Sequence, residues 1–297
     1  MQDRKYNKGN DYMQEVQKTM KQLTMETIQA FGAELHLNEK SKATVEKYTM
    51  AVRRLMEYLQ GMELTKVRLL EYRKYLQTQM KAQTVNGALS AIHAFLDFAG
   101  WQECKVKFLK VQRQAFLNES RELSKAEYKR LLSVAKKRGN ERLYLLMMTI
   151  CGTGIRVSEL PYITVEAVVS GRAEIRMKGK IRTILLQKEL RNRLKRYAKE
   201  REIESGLIFR TKSGTPLDRS NICHDMKKLC ADAKVEASKV FPHNLRHLFA
   251  RTFYTIEKNL AHLADVLGHS RIETTRIYVA VSATAHQRVL NRMRLIQ

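Results

Sequence analysis

The sequence predicts a mainly helical α+β protein in two domains, with one small β-hairpin in the second. Three observations predict it. Four consecutive segments carry apolar residues at three- and four-residue steps and are joined by short connections, the pattern of a small helix bundle. A charged stretch without helical period follows, over residues 107–122, and reads as an interdomain linker. Beyond it the helical pattern returns and is interrupted by two alternating segments around Gly179, which is a hairpin signal. At 297 residues the chain is long enough for two such domains.

Residues 1–20 are polar and are expected to form a flexible N-terminus. Thr24 suits the cap of a first helix to about 36, with Ile28, Phe31 and Leu35 on one face. Ser41 opens a second to about 60, with Val45, Tyr48, Val52, Leu55 and Leu59 in register. Thr65 caps a third, whose apolar positions are Val67, Leu70, Tyr72 and Leu76. Thr84 begins a fourth, with Ala88, Ile92, Phe95 and Leu96, ending near Gly100. These helices make a first domain over 21–106, and the second is expected over 123–297. It opens on a capping box, Ser124-Lys-Ala-Glu127. The apolar segment 142–151 reads as a buried helix, 173–178 and 182–186 as the hairpin strands, and 206–216 as a short extended piece with a turn. From Ser220 onward the pattern is helical again.

Composition limits the partner. The net charge is +25, from 55 basic and 30 acidic residues, which favours a polyanion: DNA, RNA or an anionic membrane surface. No apolar run approaches the roughly twenty residues that span a bilayer. The first ten residues are polar and charged, unlike a signal peptide. Cys104, Cys151, Cys223 and Cys230 lack C-x-x-C spacing and read as reduced thiols in a cytoplasmic protein. No cofactor is expected. Cys223, His224 and Cys230 fall short of a structural zinc site, and neither a two-metal carboxylate cluster nor a phosphate-cradling glycine loop occurs.

The chemistry concentrates late in the chain. His243-Asn-Leu-Arg246-His247 precedes Gly268-His269 and then Tyr278. Upstream stand Gly152-Thr-Gly-Ile-Arg156-Val-Ser-Glu159-Leu160 and Arg176-Met-Lys178-Gly-Lys180. Arginine forks grip phosphate oxygens, histidine moves protons near neutral pH, and a tyrosine phenol can form a covalent intermediate. Gly152 and Gly154 suit a close backbone approach to a phosphate. His247 points elsewhere around its helix and reads as structural. Arg182 lies too far along the return strand to be the hairpin's working cation.

The segments Gly154 to Leu160, His243 to His247, Leu267 to His269 and Thr275 to Tyr278 resemble the motifs of the tyrosine recombinases, the family of phage integrases and Xer-type recombinases. The resemblance extends, more weakly, from about Thr24 to the end. It implies an N-terminal helical core-binding bundle and a tyrosine-recombinase catalytic domain. It makes Arg156 and Arg246 clamps on the scissile phosphate, with Glu159 holding the Arg156 fork. Lys178 becomes the proton donor to the departing 5′ oxygen, Lys180 staying open as the alternative. His243 becomes the acceptor of the phenolic proton, His269 a hydrogen-bond partner of a non-bridging phosphate oxygen, and Tyr278 the nucleophile that forms a 3′-phosphotyrosyl bond. No ATP or metal is then required.

The implied partner is double-stranded DNA gripped by both domains, without a membrane. Lys40, Lys42, Lys47, Arg53 and Arg54 are candidate phosphate contacts, and Gln83, Thr84 and Asn86 could reach phosphates or base edges. The amphipathic tail over 286–296 either folds back on its own subunit or, as the resemblance favours, docks into a neighbour in a tetramer. A type IB topoisomerase-like enzyme that relaxes DNA, or a silent DNA-binding protein of the same fold, are the alternatives. The absence of room for an extra domain before Thr24 favours a simple recombinase of the resolvase, invertase or minimal transposon integrase type.

Overall fold

The computed structural model describes residues 21–111, 119–177, 180–278, 287 and 291–293. The chain divides into two compact units, Met1–Arg113 and Gln114–Gln297. The first holds four helices among its described residues: α1 (Met25–Leu37), α2 (Lys42–Leu59), α3 (Lys66–Gln79) and α4 (Ala82–Phe98). Thr24 caps α1 reciprocally with Thr27: each backbone N–H donates to the other's hydroxyl, at 3.1 and 3.2 Å. Two otherwise orphaned donors are satisfied in this way. Thr65 caps α3 through the N–H of Arg68. Ile28, Phe31, Val52, Leu55, Leu89, Ile92 and Phe95 close the core, with Phe31 edge-on to Phe95 at 5.4 Å between centroids.

Two expectations for this unit are corrected. The buried face of α3 is Leu69, Tyr72 and Leu76, whereas Val67 is 64% exposed. Neighbouring stripes of one helix both satisfy a 3.6-residue period, and packing on the facing helices decides between them. α4 begins at Ala82, not Thr84, because the Thr84 N–H already bonds the Lys81 carbonyl. The chain leaving α4 is tied to the bundle. Arg73 donates to the Lys107 carbonyl at 2.6 Å, and the Asn86 amide makes two bonds with the Leu109 backbone, at 2.8 and 2.9 Å.

The second unit is built on α5 (Lys125–Lys137) and α6 (Glu141–Thr153). α5 carries the expected capping box: Glu127 N–H donates to the Ser124 hydroxyl and Ser124 N–H to the Glu127 carboxylate. α6 is buried on most of its surface through Leu143, Leu145, Leu146, Met147 and Ile150, which suits a central element. After a 3₁₀ turn over Val157–Tyr162 come α7 (Val165–Ser170) and the antiparallel hairpin β1 (Arg172–Met177) and β2 (Lys180–Leu185). Its register runs from Arg172 opposite Leu185 to Met177 opposite Lys180. α8 (Lys188–Glu200) follows, and isolated bridges Thr164–Leu207 and Arg210–Pro216 form the short extended piece. The unit continues with α9 (Arg219–Lys227), α10 (Cys230–Ala233), α11 (Pro242–Glu257), α12 (Leu260–Leu267) and α13 (Ile272–Arg276). α11 packs on α6, which brings two distant motifs together. No helix among the described residues is long and apolar enough to cross a membrane.

Loss of a side-chain N-cap typically destabilises by about 1 kcal/mol. Ser124→Ala is therefore expected to lower the second unit's unfolding free energy by that amount, read as a reduced urea midpoint by circular dichroism, without changing the first unit's transition.

Candidate active site

α6 stops at Gly154, whose φ of +68° is left-handed. A Cβ there would lie 2.4 Å from Phe249. Glycine is thus required where the end of α6 meets α11. This packing, and not the approach of a phosphate that the sequence suggested, is what the position demands. The Gly154 carbonyl accepts from the Arg246 guanidinium. The 3₁₀ turn then presents Glu159, which is 2% exposed. Its carboxylate accepts from the Arg156 backbone N–H at 2.7 Å and from the Arg156 guanidinium at 2.9 Å. The Arg156 side chain stays 40% exposed, so it can still meet a ligand.

Arg182 donates to the second face of Glu159 and, at 2.8 Å, to the Val266 carbonyl. Its side chain runs beneath Gly268, where a Cβ would sit 2.5 Å from it. Burial pulls the Arg182 guanidinium below its usual pKa, and the Glu159 charge works in the opposite direction. The sequence passed over Arg182 as the hairpin's working cation; the structure gives it a different place, sharing Glu159 with Arg156. The signal was available: residues 182, 184 and 186 alternate onto the inner face of the strand, so this arginine occupies an apolar phase. One buried carboxylate therefore holds two guanidiniums.

Pro242 begins α11, as its fixed φ favours. Arg246, one turn on from His243, is 1% exposed. It donates to Leu267 O and to His269 Nε2, each at 2.9 Å, besides Gly154 O. The Tyr278 phenol lies close enough to favour the charged form of Arg246. Burial first, then repulsion from Arg156, lowers its pKa to about 10, against the pull of Tyr278. Gly268 ends α12 with φ +63° and turns His269 back over the site. Because Arg246 donates to Nε2, His269 carries its proton on Nδ1, which donates to Thr275 Oγ1 at 2.8 Å. A phosphate oxygen can take a hydrogen bond from His269 Nε2 only after that atom gains a proton. Burial and then the Arg246 charge lower the His269 pKa to about 4. His243 is also lowered to about 4, by burial, then by His247 and Arg246.

Tyr278 is 3% exposed and packs beside Ala250, Leu263 and Leu267. Its ring lies 4.6 Å from His247, 5.7 Å from His269 and 6.4 Å from His243, centroid to centroid. His247 thus does not point away from the site as expected. It faces the phenol, and Nδ1 meets the Glu122 carboxylate at 3.4 Å rather than a backbone carbonyl. The fourth position after His243 on a helix returns to the same face, which is why the two imidazoles share it.

The structure brings Arg156, Glu159, His243, Arg246, His269 and Tyr278 into one cluster and adds Arg182 and His247. Lys178 lies outside the described residues, as does the side chain of Lys180. Lys40, Lys42, Lys47, Arg53, Arg54, Gln83 and Thr84 are exposed on the first unit. Asn86 is withdrawn as a DNA contact, since both ends of its amide are engaged by Leu109. Among the described residues no group of three or more His, Cys, Asp or Glu is placed to hold a metal ion.

Family models match both parts of the chain: the phage integrase family over residues 121–285, and the phage integrase N-terminal SAM-like domain over residues 28–103. The chain is 30% identical over 283 residues to tyrosine recombinase XerA of Thermococcus kodakarensis, covering 92% of this chain and 96% of that one. Two solved structures are similar in fold. One is the XerH site-specific recombinase bound to its palindromic difH substrate in a post-cleavage complex, with TM-score 0.68 and 20% identity over 85% of this chain and 80% of that one. The other is a lambda integrase tetramer bound to a Holliday junction, with TM-score 0.69 and 16% identity over 88% and 78%. The chain belongs to the phage integrase family and is a tyrosine-type site-specific recombinase.

Removing one partner of a buried ion pair typically costs about 3–5 kcal/mol. Glu159→Ala is expected to lose stability on that scale, measured by urea denaturation, because it strands Arg182 and frees Arg156. The depressed histidines set a pH window. His243 and His269 fall from 6.5 to about 4 on folding, so the unfolded chain binds more protons between those limits. Stability is then full above about pH 6.5 and falls as pH drops toward 4. The urea midpoint should decline over this range, and the double substitution His243→Asn, His269→Asn should flatten the decline.

Proposed function

We propose that this recombinase cleaves and rejoins double-stranded DNA through a covalent 3′-phosphotyrosine formed by Tyr278. The observation that carries this reading is the placement of the Tyr278 phenol: buried, close enough to the Arg246 guanidinium to favour its charge, and ringed by His243, His247 and His269. A phosphodiester repels nucleophiles by its own charge. Arg156 and Arg246 stabilise the added charge of the pentacoordinate transition state, and Glu159 with Arg182 keeps Arg156 in place. His269 acts on a phosphate oxygen once the phosphate takes its place beside Arg246.

The steps balance. The Tyr278 O–H bond breaks, and an imidazole beside the ring receives the proton, His243 by the family's assignment. The Tyr278 oxygen forms a bond to phosphorus, and the bond from phosphorus to the 5′ oxygen breaks. That oxygen leaves with the bonding pair and takes a proton from Lys178. The phosphotyrosyl ester conserves the energy of the broken linkage, so a 5′ hydroxyl of another strand reverses the steps without ATP.

The first unit contributes nonspecific grip through Lys40, Lys42, Lys47, Arg53 and Arg54, with Gln83 and Thr84 at the start of α4. The net charge of +25 supports a polyanionic partner. Four copies on paired sites, exchanged through the tail over 286–296, fit the lambda integrase tetramer named above. The chain acts in the cytoplasm. We read the chain as a DNA-binding bundle over 21–106, a linker over 107–122 and a catalytic domain over 123–297; the expected flexible N-terminus over 1–20 and most of the expected C-terminal oligomerisation helix lie outside the described residues.

A nicked suicide duplex carrying the recombination site tests the chemistry. Wild-type protein should shift to a protein–DNA adduct on a denaturing gel, and Tyr278→Phe should form none. An adduct with Tyr278→Phe, or none with wild type, overturns the reading. On a plasmid with two sites, deletion or inversion products are expected, and supercoil relaxation alone would assign the type IB activity instead. Arg246→Ala should slow adduct formation by about 10²-fold or more, the usual scale for losing a preorganised charge contact.

A further inference from the structure

Three imidazoles lie beside the proposed nucleophile; His269 is engaged at both ring nitrogens by Arg246 and Thr275, and the other two differ in their surroundings. His247 is the nearer: its ring stands edge-on to Tyr278 at 4.6 Å and 84°, against 6.4 Å for His243. His247 also has a support that His243 lacks. Its Nδ1 donates at 3.4 Å to Glu122, whose side chain is 10% exposed. The other carboxylate oxygen of Glu122 faces Arg251 at 3.3 Å, and Arg251 is fixed in turn by the Leu123 carbonyl at 2.7 Å.

With its proton on Nδ1, His247 presents a lone pair on Nε2. That atom is buried and has no hydrogen-bond partner among the described residues. A buried acceptor without a donor is unfavourable and rare. It persists here on the imidazole that touches the phenol. An imidazole with one nitrogen held by a buried carboxylate and the other unpartnered, its ring packed against that of a nucleophile, has the makings of a general base.

We propose that Glu122 and His247 together accept the phenolic proton of Tyr278. The proposal rests on Tyr278 being the nucleophile. A phosphate held by Arg156 and Arg246 brings the reacting phosphorus to the phenol. Its O–H bond breaks, a new N–H bond forms at His247 Nε2, and the oxygen pair attacks phosphorus. The imidazolium is stabilised by the Glu122 carboxylate, and the same proton returns to the phenolic oxygen when the strand is rejoined.

Two observations agree with this. The Glu122 carboxyl is held below the usual carboxylate range: burial opposes this, but the His247 hydrogen bond and the charges of His247 and Arg251 outweigh it. His243, lowered to about 4 by burial, then by His247 and Arg246, is a poor acceptor for a phenolic proton. It remains available for the phosphate. The charged and titratable groups around the pair are Glu122 on the segment before α5, His243, Arg246 and Arg251 on α11, and Tyr278 after α13. Arg156 and Arg219 act on the adjoining His243.

Single-turnover cleavage of the nicked suicide duplex across pH tests the pair, with duplex binding and circular dichroism as controls. His247→Gln should keep duplex binding and slow adduct formation by about 10²-fold or more, the usual contribution of a general base. Glu122→Gln retains a hydrogen-bond acceptor but removes the charge that favours the imidazolium. It should slow adduct formation and move the acidic limb of the rate profile to lower pH. A purely structural role would leave that limb in place. Wild-type rates for His247→Gln overturn the proposal, as does a slowed Glu122→Gln with an unmoved limb. Should His247→Gln fail the fold control, the limb in Glu122→Gln decides. Tyr278→Phe separates the two readings: an adduct there removes the nucleophile itself, whereas its absence together with a wild-type His247→Gln removes only the dyad.

Discussion

The burial of positive charge around Glu159 and Arg246 is the constraint on which the catalytic unit depends. Three guanidiniums, Arg156, Arg182 and Arg246, gather where a single carboxylate is available to offset them. Unpaired charge in a low-dielectric setting is strongly unfavourable. The fold answers with backbone carbonyls: Gly154, Val266 and Leu267 all turn their oxygens onto arginines. Those carbonyls are free because they lie at helix ends, where the last turn has no intrahelical donor. The two left-handed glycines end the helices there, and no side chain larger than hydrogen fits beneath them.

The same excess of cation explains the histidines. His243 and His269 sit beside arginines, and burial together with that charge keeps both neutral. A site so arranged holds its positive potential in the guanidiniums, while His243 and His269 stay uncharged. This division suits attack on an anion: fixed charge stabilises the transition state, and the phenolic proton is left to a neighbouring base.

The N-terminal unit follows simpler rules. Its helices close over an aliphatic and phenylalanine core, and its basic side chains lie exposed on the surface. The departing strand is bolted down by Asn86 and Arg73. That use of Asn86 was invisible in the sequence, because an amide near a helix start serves a backbone clamp and a DNA contact equally well.

Much of the architecture was legible from periodicity and capping alone. Thr24, Thr65 and the Ser124–Glu127 box mark helix starts through local hydrogen bonds, which act over three residues and need no distant partner. The hairpin was legible in its alternation, and the motif set named Arg156, Glu159, His243, Arg246, His269 and Tyr278 before any coordinate. Tertiary structure decided what local rules leave degenerate: which stripe of α3 is buried, why Gly154 is glycine, that Arg182 shares Glu159, and that His247 faces the phenol across from Glu122. Each depends on contact between segments far apart in the chain. Spacing along a sequence fixes a side chain's direction on its own helix or strand, whereas its partner is set by how those elements pack.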